Sequence, residues 1–438
     1  MHPNEIRNSG PSVTNHSFET LIETETIPEN AVHWGREHFI PVARADWRVL
    51  MTDLAVEGGL NPDEFGEFCA LLDTLVHMQS YHDHAEVSEN YSKLDPDSIS
   101  ERIPTAMELD SADQVGQLTL SQIDQIMLRA NYQKLSRAEL LEALQNASDF
   151  GIPMTSDFTV FRRFGVYIRG KVIGKRVRRR LSNFYRREEV DVPLYQRLVI
   201  CFQVIETAST DVEHRSDCLY IKSFKNIPQH DIDMLLPGTK VRMTIIDRGK
   251  IVLPTLSGLA ILVFRLFAVV SLGLFALISL LSTTIGYALK TVFGYFRTKN
   301  KYQHDLTKNL YYQSLGNNAG VLQQLQNEAE VQDIQECLLA YTLLLLNYPQ
   351  GATARQLDIS AERFIHETVK FPVNFEVDDA LRKLFHLKLV TVNAERKYVA
   401  IEVPSAIAGL QINFHKLIDG YSKSVIPEDT SEHSAPTL

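Results

Sequence analysis

The apolar positions of this chain change period along its length, and each period predicts a different kind of element. In residues 31–90 they fall at helical spacing. Trp47, Leu50, Met51 and Leu54 recur after the extended run Phe39-Ile40-Pro41-Val42, and Phe65, Phe68, Cys69, Leu72, Leu75 and Val76 follow Asn61-Pro62-Asp63. Stripes of this kind bury one face of a helix, and Asn before Pro suits a helix start because proline fits the first turn. A loop rich in Asp, Ser and Pro at 91–115 separates these helices from two more, expected at 121–133 and 137–147. The last opens with Ser136 and Glu139 at capping-box spacing, where each side chain can satisfy an orphan backbone donor near the other. A helical domain is expected over 31–150, behind a disordered lead-in at 1–30.

From 158 to 247 the period shortens. Residues 198–205, 218–224 and 240–246 are β-branched or aromatic runs bounded by turn residues, which suits strands. Residues 228–236 read as a short helix with proline in its first turn, stopped by Pro237-Gly238. The expectation for 151–250 is a small α+β domain.

Residues 251–296 then lose polar positions almost entirely. From Leu266 to Leu289 there are 24 residues without a charge, and about 20 apolar residues cross a ~30 Å hydrocarbon layer. Residues 252–264 are apolar too, with Arg265 between the two runs. A single span over 266–289 is one reading; a transmembrane helical hairpin over about 252–270 and 274–293 is the other. Cations flank both ends (Lys240, Arg242, Arg248 and Lys250 before; Lys290, Arg297, Lys299 and Lys301 after), and only an even number of crossings leaves both flanks on the cytoplasmic side. The hairpin is the reading adopted.

Beyond it, 299–315 has helical spacing at Tyr302, Leu306, Leu310 and Tyr311, a break at 317–320, and a longer helix at 321–346. Helices at 353 and at 377–387 follow, then 389–392 and 397–402 as a hairpin about Asn393-Ala394-Glu395-Arg396. Three helices closing on a hairpin make a winged-helix-like C-terminal domain over 297–420, ahead of a disordered tail at 421–438. The fold class expected is membrane-anchored α+β.

Composition narrows the function. A net charge of −10 argues against a general nucleic-acid binder, and Cys69, Cys201, Cys218 and Cys337, scattered without C-x-x-C, suggest a reducing compartment. No cofactor is expected. The sharpest local feature is 161–187, with eleven cations and no acid. Ile173, Val177, Leu181 and Phe184 recur at helical spacing there, which predicts a basic amphipathic helix. Its Arg169, Lys171, Lys175, Arg176, Arg178, Arg179 and Arg180 would meet anionic lipids of a bilayer surface, or form a solvated face docked on the sheet, or, as a third option, bind nucleic acid.

Other candidates carry less chemistry. Gly165 to Lys171 fits G-x-x-x-x-G-K but ends on Val172, without the hydroxyl that holds magnesium in a phosphate loop. His77, His82, Asp83 and His84 are metal-capable, yet the histidine spacing of five departs from one helical face, and a surface cluster is expected. No G-x-S-x-G, H-E-x-x-H or G-x-G-x-x-G occurs, so no catalytic residue and no metal site is assigned. The presumed recognition helix at 378–389 begins with Asp378 and Asp379, which repel phosphates, so protein contact is favoured over DNA.

The runs DIDMLLPGTKVRMTIIDR (231–248), GYFRTKNKYQHDLTKNLYYQSLGNNAGV (294–321) and FEVDDALRKLFHL (375–387), with REHFIPVAR at 36–44, resemble the signature stretches of the domain-of-unknown-function 3754 family, which includes the transmembrane protein 143 proteins. The resemblance implies an integral membrane protein without an assigned activity. Animal members are regarded as mitochondrial, and the acidic N-terminus here points instead to a bacterial cytoplasmic membrane. The polar run Asn300, Tyr302, Gln303, His304, Asn309, Tyr311, Tyr312, Asn317 and Asn318 is where a shared site is expected, against helix capping and headgroup contact as its structural explanation. The function expected is a membrane-anchored scaffold or interaction protein, with a protein partner or a second copy of itself. Its rival is a membrane-associated enzyme or lipid-handling protein with a site between the basic segment and that polar run.

Overall fold

The computed structural model describes residues 32–99, 112–146, 154–155, 158–179, 187–206, 214–237, 240–241, 282, 286, 293 and 312–425. Helices α1 (Arg44–Glu57), α2 (Pro62–Ser92) and α3 (Ala112–Arg129) lead into strand β1 (Gln133–Lys134) and helix α4 (Arg137–Asn146). Both expected helix starts are present. Asn61 accepts the Asp63 N–H (2.9 Å), and Ser136 and Glu139 exchange the two capping-box bonds. Then come β2 (Met154–Thr155), β3 (Phe161–Arg179), β4 (Arg187–Val204), β5 (Tyr220–Pro228), a 3₁₀ turn (Gln229–Leu235), β6 (Lys240–Val241) and β7 (Ser314–Asn317). The C-terminal part is α5 (Asn318–Asn347), α6 (Ala354–Val369), α7 (Val377–His386), the hairpin β8 (Val390–Val392) and β9 (Tyr398–Ala400), and α8 (Val403–Val425).

A five-stranded antiparallel sheet runs in the order β1-β3-β4-β5-β7. The period of two sorts its side chains between two cores. Tyr167, Val199, Cys201 and Ile221 face α3 and the first half of α5, while Val166, Ile168, Leu198, Ile200, Phe202 and Tyr220 face α4 and the 3₁₀ turn. Because both faces are covered, the stretch Leu198–Phe202 of β4 reads as a continuous apolar run.

The basic amphipathic helix expected over 161–187 is corrected here: residues 161–179 are β3, paired with β4 from Arg163↔Gln203 to Arg179↔Arg187, while 180–186 lie outside the described residues. Its β-branched and aromatic residues fit a half-buried pleat, and β4 sets Asp191 opposite Lys175, whose ammonium reaches Glu189. The expected helix at 299–315 also gives way at its end, where Ser314–Asn317 is a strand edge on β5.

The membrane-anchored fold class with a transmembrane hairpin is corrected as well. Among the described residues no helix is long and apolar enough to cross a membrane. Helices α2 and α5, with 31 and 30 residues, have the length, but α2 carries charges throughout and α5 carries Glu328, Glu330, Asp333 and Glu336. The apolar runs at 252–270 and 274–293 themselves lie outside the described residues, apart from 282, 286 and 293. What stands is a mixed architecture of eight α-helices and a sheet among those residues.

Helix α5 joins the parts. Val321, Leu322, Leu325 and Ala329 in its first half pack on the sheet. Ile334, Leu338, Tyr341 and Leu344 in its second half lie in a larger core with Trp47, Met51, Phe65, Phe68 and Leu72 of α1 and α2, Leu357 and Ile365 of α6, Leu381 and Leu384 of α7, and Leu410 of α8. The N-terminal helices and the winged-helix-like segment therefore share one core. Ala352 exchanges both backbone hydrogen bonds with Tyr398 (3.0 and 2.8 Å), adding a third short strand to the wing. Thr353 and Gln356 close a capping box at the start of α6.

Candidate functional site

Most buried helices are apolar all round. Helix α5 is buried and polar along one side, and several of those polar residues are met from another element. Gln326 donates to Ser80 Oγ (2.6 Å), Glu328 accepts from Tyr132 (2.8 Å) and pairs with Arg169 (2.7 Å), and Glu330 pairs with Arg44 and His77 (both 2.9 Å). Gln332 takes the Ile40 N–H (2.8 Å), Gln335 donates to the Val42 carbonyl (2.6 Å), and the Trp47 indole donates to the Gln335 carbonyl (3.1 Å). Satisfied this way, buried polar groups fix one arrangement where apolar ones would tolerate several.

One turn further on the network becomes ionic. Asp333 and Glu336, three residues apart on α5, present carboxylates to Lys383 of α7, and Asp379 reaches the same ammonium from one turn earlier on α7. Arg129 at the end of α3 holds Asp333 Oδ2 (2.7 Å) with one nitrogen and Asp83 of α2 (3.1 Å) with another. Asn131, held at positive φ just after α3, donates to Glu336 Oε1 (2.7 Å). Side chains from α3, from Asn131 just after it and from α7 thus converge on two α5 residues that are 3% and 1% exposed.

Burial dominates the electrostatics. It pushes the Glu336 carboxyl up to about 8, against the pull of Lys383, with Asp333 adding to the rise. Burial alone would lower the Lys383 ammonium, but Glu336 and Asp333 outweigh it and hold the charge on. The carboxylates of Asp333, Glu336 and Asp379 have oxygens within 4.8 Å of one another, close enough for a single cation. That cation is Lys383. Glu336 and Asp333 are sealed from solvent while the Lys383 and Asp379 side chains are 21% and 24% exposed, so the cluster ties α5 to the part-buried face of α7.

The residues singled out in the sequence are placed elsewhere. Arg169 is only 12% exposed in its side chain; it pairs with Glu328, donates to the Ala130 carbonyl (3.0 Å) and lies over the Tyr132 and Phe39 rings. Lys171 lies over Trp34, and Lys175 reaches Glu189 (3.5 Å). Arg176, Arg178 and Arg179 belong to the β3 backbone, their side chains lying outside the described residues, as does Arg180 entirely. The G-x-x-x-x-G-K run is part of β3. Its Gly170 has φ of +79°, and the Glu37 carboxylate accepts the Gly170 N–H (3.0 Å) and that of Lys171.

Of the polar run, Asn300, Tyr302, Gln303, His304, Asn309 and Tyr311 lie outside the described residues. Tyr312 is exposed, and Asn317 ends β7. Asn318 has φ of +51°, accepts the Ile221 N–H (3.1 Å) and donates to Asp97 (2.6 Å), tying the sheet and the loop after α2 to the start of α5. Among the metal-capable group, His77 pairs with Glu330, His84 meets Ser88 (3.1 Å), and Asp83 pairs with Arg129.

Sequence reasoning missed Asp333, Glu336, Arg129 and Lys383. The available signal was the placement of acids at 328, 330, 333 and 336 in a segment otherwise apolar enough to be buried.

No solved structure matches the chain. Residues 195–320, from β4 to the first turn of α5, match the family model described as Protein of unknown function (DUF3754), which supports an assignment to an uncharacterised family.

Proposed function

We propose that this chain is an interaction protein of the scaffold type, whose winged-helix-like segment meets other proteins and does not read DNA. The observation that carries this is the direction of Lys383. A base-reading helix presents its cations outward to phosphates and base edges. Here α7 turns Lys383 into the core, pairs Arg382 with Asp379 (3.0 Å) and opens on Asp378 and Asp379. The burial of Asp333 and Glu336 in the ionic cluster further supports a structural over a catalytic role. The kinship with the transmembrane protein 143 proteins, carried by residues 231–248 and 294–321, belongs to this reading.

Duplex-binding and assembly measurements on the full chain test it together. Fluorescence anisotropy with mixed-sequence duplexes at physiological salt is expected to show no saturable binding, while proximity labelling from the C-terminus in the native host returns a discrete protein set, or sedimentation shows a defined self-assembly. Sequence-selective duplex binding that Arg382→Ala abolishes would overturn the proposal.

A further inference from the structure

Strand β5 alternates its side chains between the two faces of the sheet. Tyr220 and Phe224 join the core beneath α4, and Lys222 lies between them on that same apolar face, diagonal to Phe202 across the β4 ladder. Lys222 is half-buried there, and a lysine on an apolar face ordinarily finds a carboxylate. Among the described residues Lys222 makes no hydrogen bond or ion pair. Its Nζ lies 5.7 Å from the centroid of the Phe202 ring, a cation–π contact that leaves the ammonium without an anionic partner among the described residues.

A second unanswered group lies against the same ring. His214 packs edge-on to Phe202 (5.2 Å between centroids) and to Tyr220 (4.6 Å), and its Nδ1 is buried without a hydrogen-bond partner. Burial first, and then the Lys222 charge, hold the imidazole down to about 4, while burial lowers the Lys222 ammonium itself. Two potential cations thus lie against one aromatic ring and repel each other, and among the described residues neither pairs with an acid. The Tyr220 hydroxyl, the other polar group there, accepts the Arg215 N–H (2.9 Å).

We propose that Lys222 and His214 form a binding site for a small oxyanion, a phosphate or a carboxylate, seated against Phe202 and Tyr220. An anion there answers both groups at once, accepting from Nζ and from the imidazole N–H, in a low-dielectric setting where such charge-assisted bonds are strong. The site lies inside the span that matches the uncharacterised family and is separate from the Asp333–Glu336–Lys383 cluster.

Inorganic phosphate and acetate are the probes, each titrated against sodium chloride at equal ionic strength. The full chain is expected to show a saturable rise in Tm with at least one of them, and the anion that acts names the chemical class. Proton NMR of the His214 ring in the unaltered protein is expected to show its pKa rising by about one unit or more with that anion. Lys222→Met, whose side chain suits the apolar face, is expected to fold and to bind about tenfold or more weakly, with Lys222→Arg retaining binding. The proposal is overturned if neither anion shifts the Tm saturably, if His214 titrates identically with and without anion, or if folded Lys222→Met responds like the unaltered chain.

Discussion

Lys383 Nζ lies 3.7 Å from Glu336 Oε2 and ion-pairs at the same time with Asp333 and Asp379, so one ammonium from α7 meets three acidic side chains. Removing one partner of a buried ionic group costs more than the group contributes, because the charges left behind stay desolvated. Lys383→Met is therefore expected to lower stability by roughly 3–5 kcal/mol. Urea unfolding at pH 7 measures this. A loss below about 1 kcal/mol would mean that water already reaches the cluster.

Glu336 gives the same cluster a pH dependence. Its folded-state carboxyl is raised to about 8, above the unfolded value near 4.3, so the native state binds a proton that the unfolded chain has released. The stabilising contribution is complete below about pH 4 and fades as pH rises through 8. Glu336→Gln keeps the shape and removes the proton. Relative to this variant, the unaltered chain is expected to lose on the order of a few kcal/mol between pH 4.5 and 8, with parallel curves above that window. Equal pH profiles for the two proteins would refute the assignment.

The Glu37 carboxylate accepts two successive backbone N–H groups of β3 at a glycine with positive φ. Glu37→Ala leaves both donors buried and is expected to cost about 2–4 kcal/mol. Gly170→Ala should cost at least about 1 kcal/mol from backbone strain alone, and more because its Cβ would run into Gln196. Thermal unfolding of both variants checks the pair.

Asn318 combines backbone and side-chain roles, which substitution can separate. Asn318→Gly keeps the left-handed backbone accessible and loses only the bonds to Ile221 and Asp97, whereas Asn318→Ala loses the bonds and strains the backbone. The expected order of stability is Asn above Gly above Ala, the last step being about 1 kcal/mol. A reversed order of the two variants would show that the left-handed backbone carries no penalty at this position.

Local signals in the chain were legible where the physics is local. The Asn61 and Ser136–Glu139 caps, the apolar stripes of α1 and α2, and the turn at Asn393 are each decided within a few residues, and all are present. The segment from 161 to 179 reads as a helix because apolar residues four apart fit both a helix and a pleat, and the partner that decides, β4, comes later in the chain. The apolar stretch after 251 was read by length, a criterion blind to the rest of the chain. The ionic cluster was illegible for a deeper reason. Asp333 meets Arg129 across 204 residues and Lys383 across 50, and a single sequence carries no sign of which distant charge an acid will face. The same holds for α5, whose buried glutamines make sense only beside Ile40 and Val42.

Native-state hydrogen exchange across a denaturant series decides whether α5 unites the N-terminal helices with the winged-helix-like segment. If one core holds Trp47, Phe68, Leu338 and Leu384 together, the slowest amides of α1, α2, α5 and α7 open with a common free energy, and Lys383→Met lowers that value equally in all four. Separate opening of α6, α7 and the wing at a lower free energy, with α1 and α2 unaffected by Lys383→Met, would contradict it.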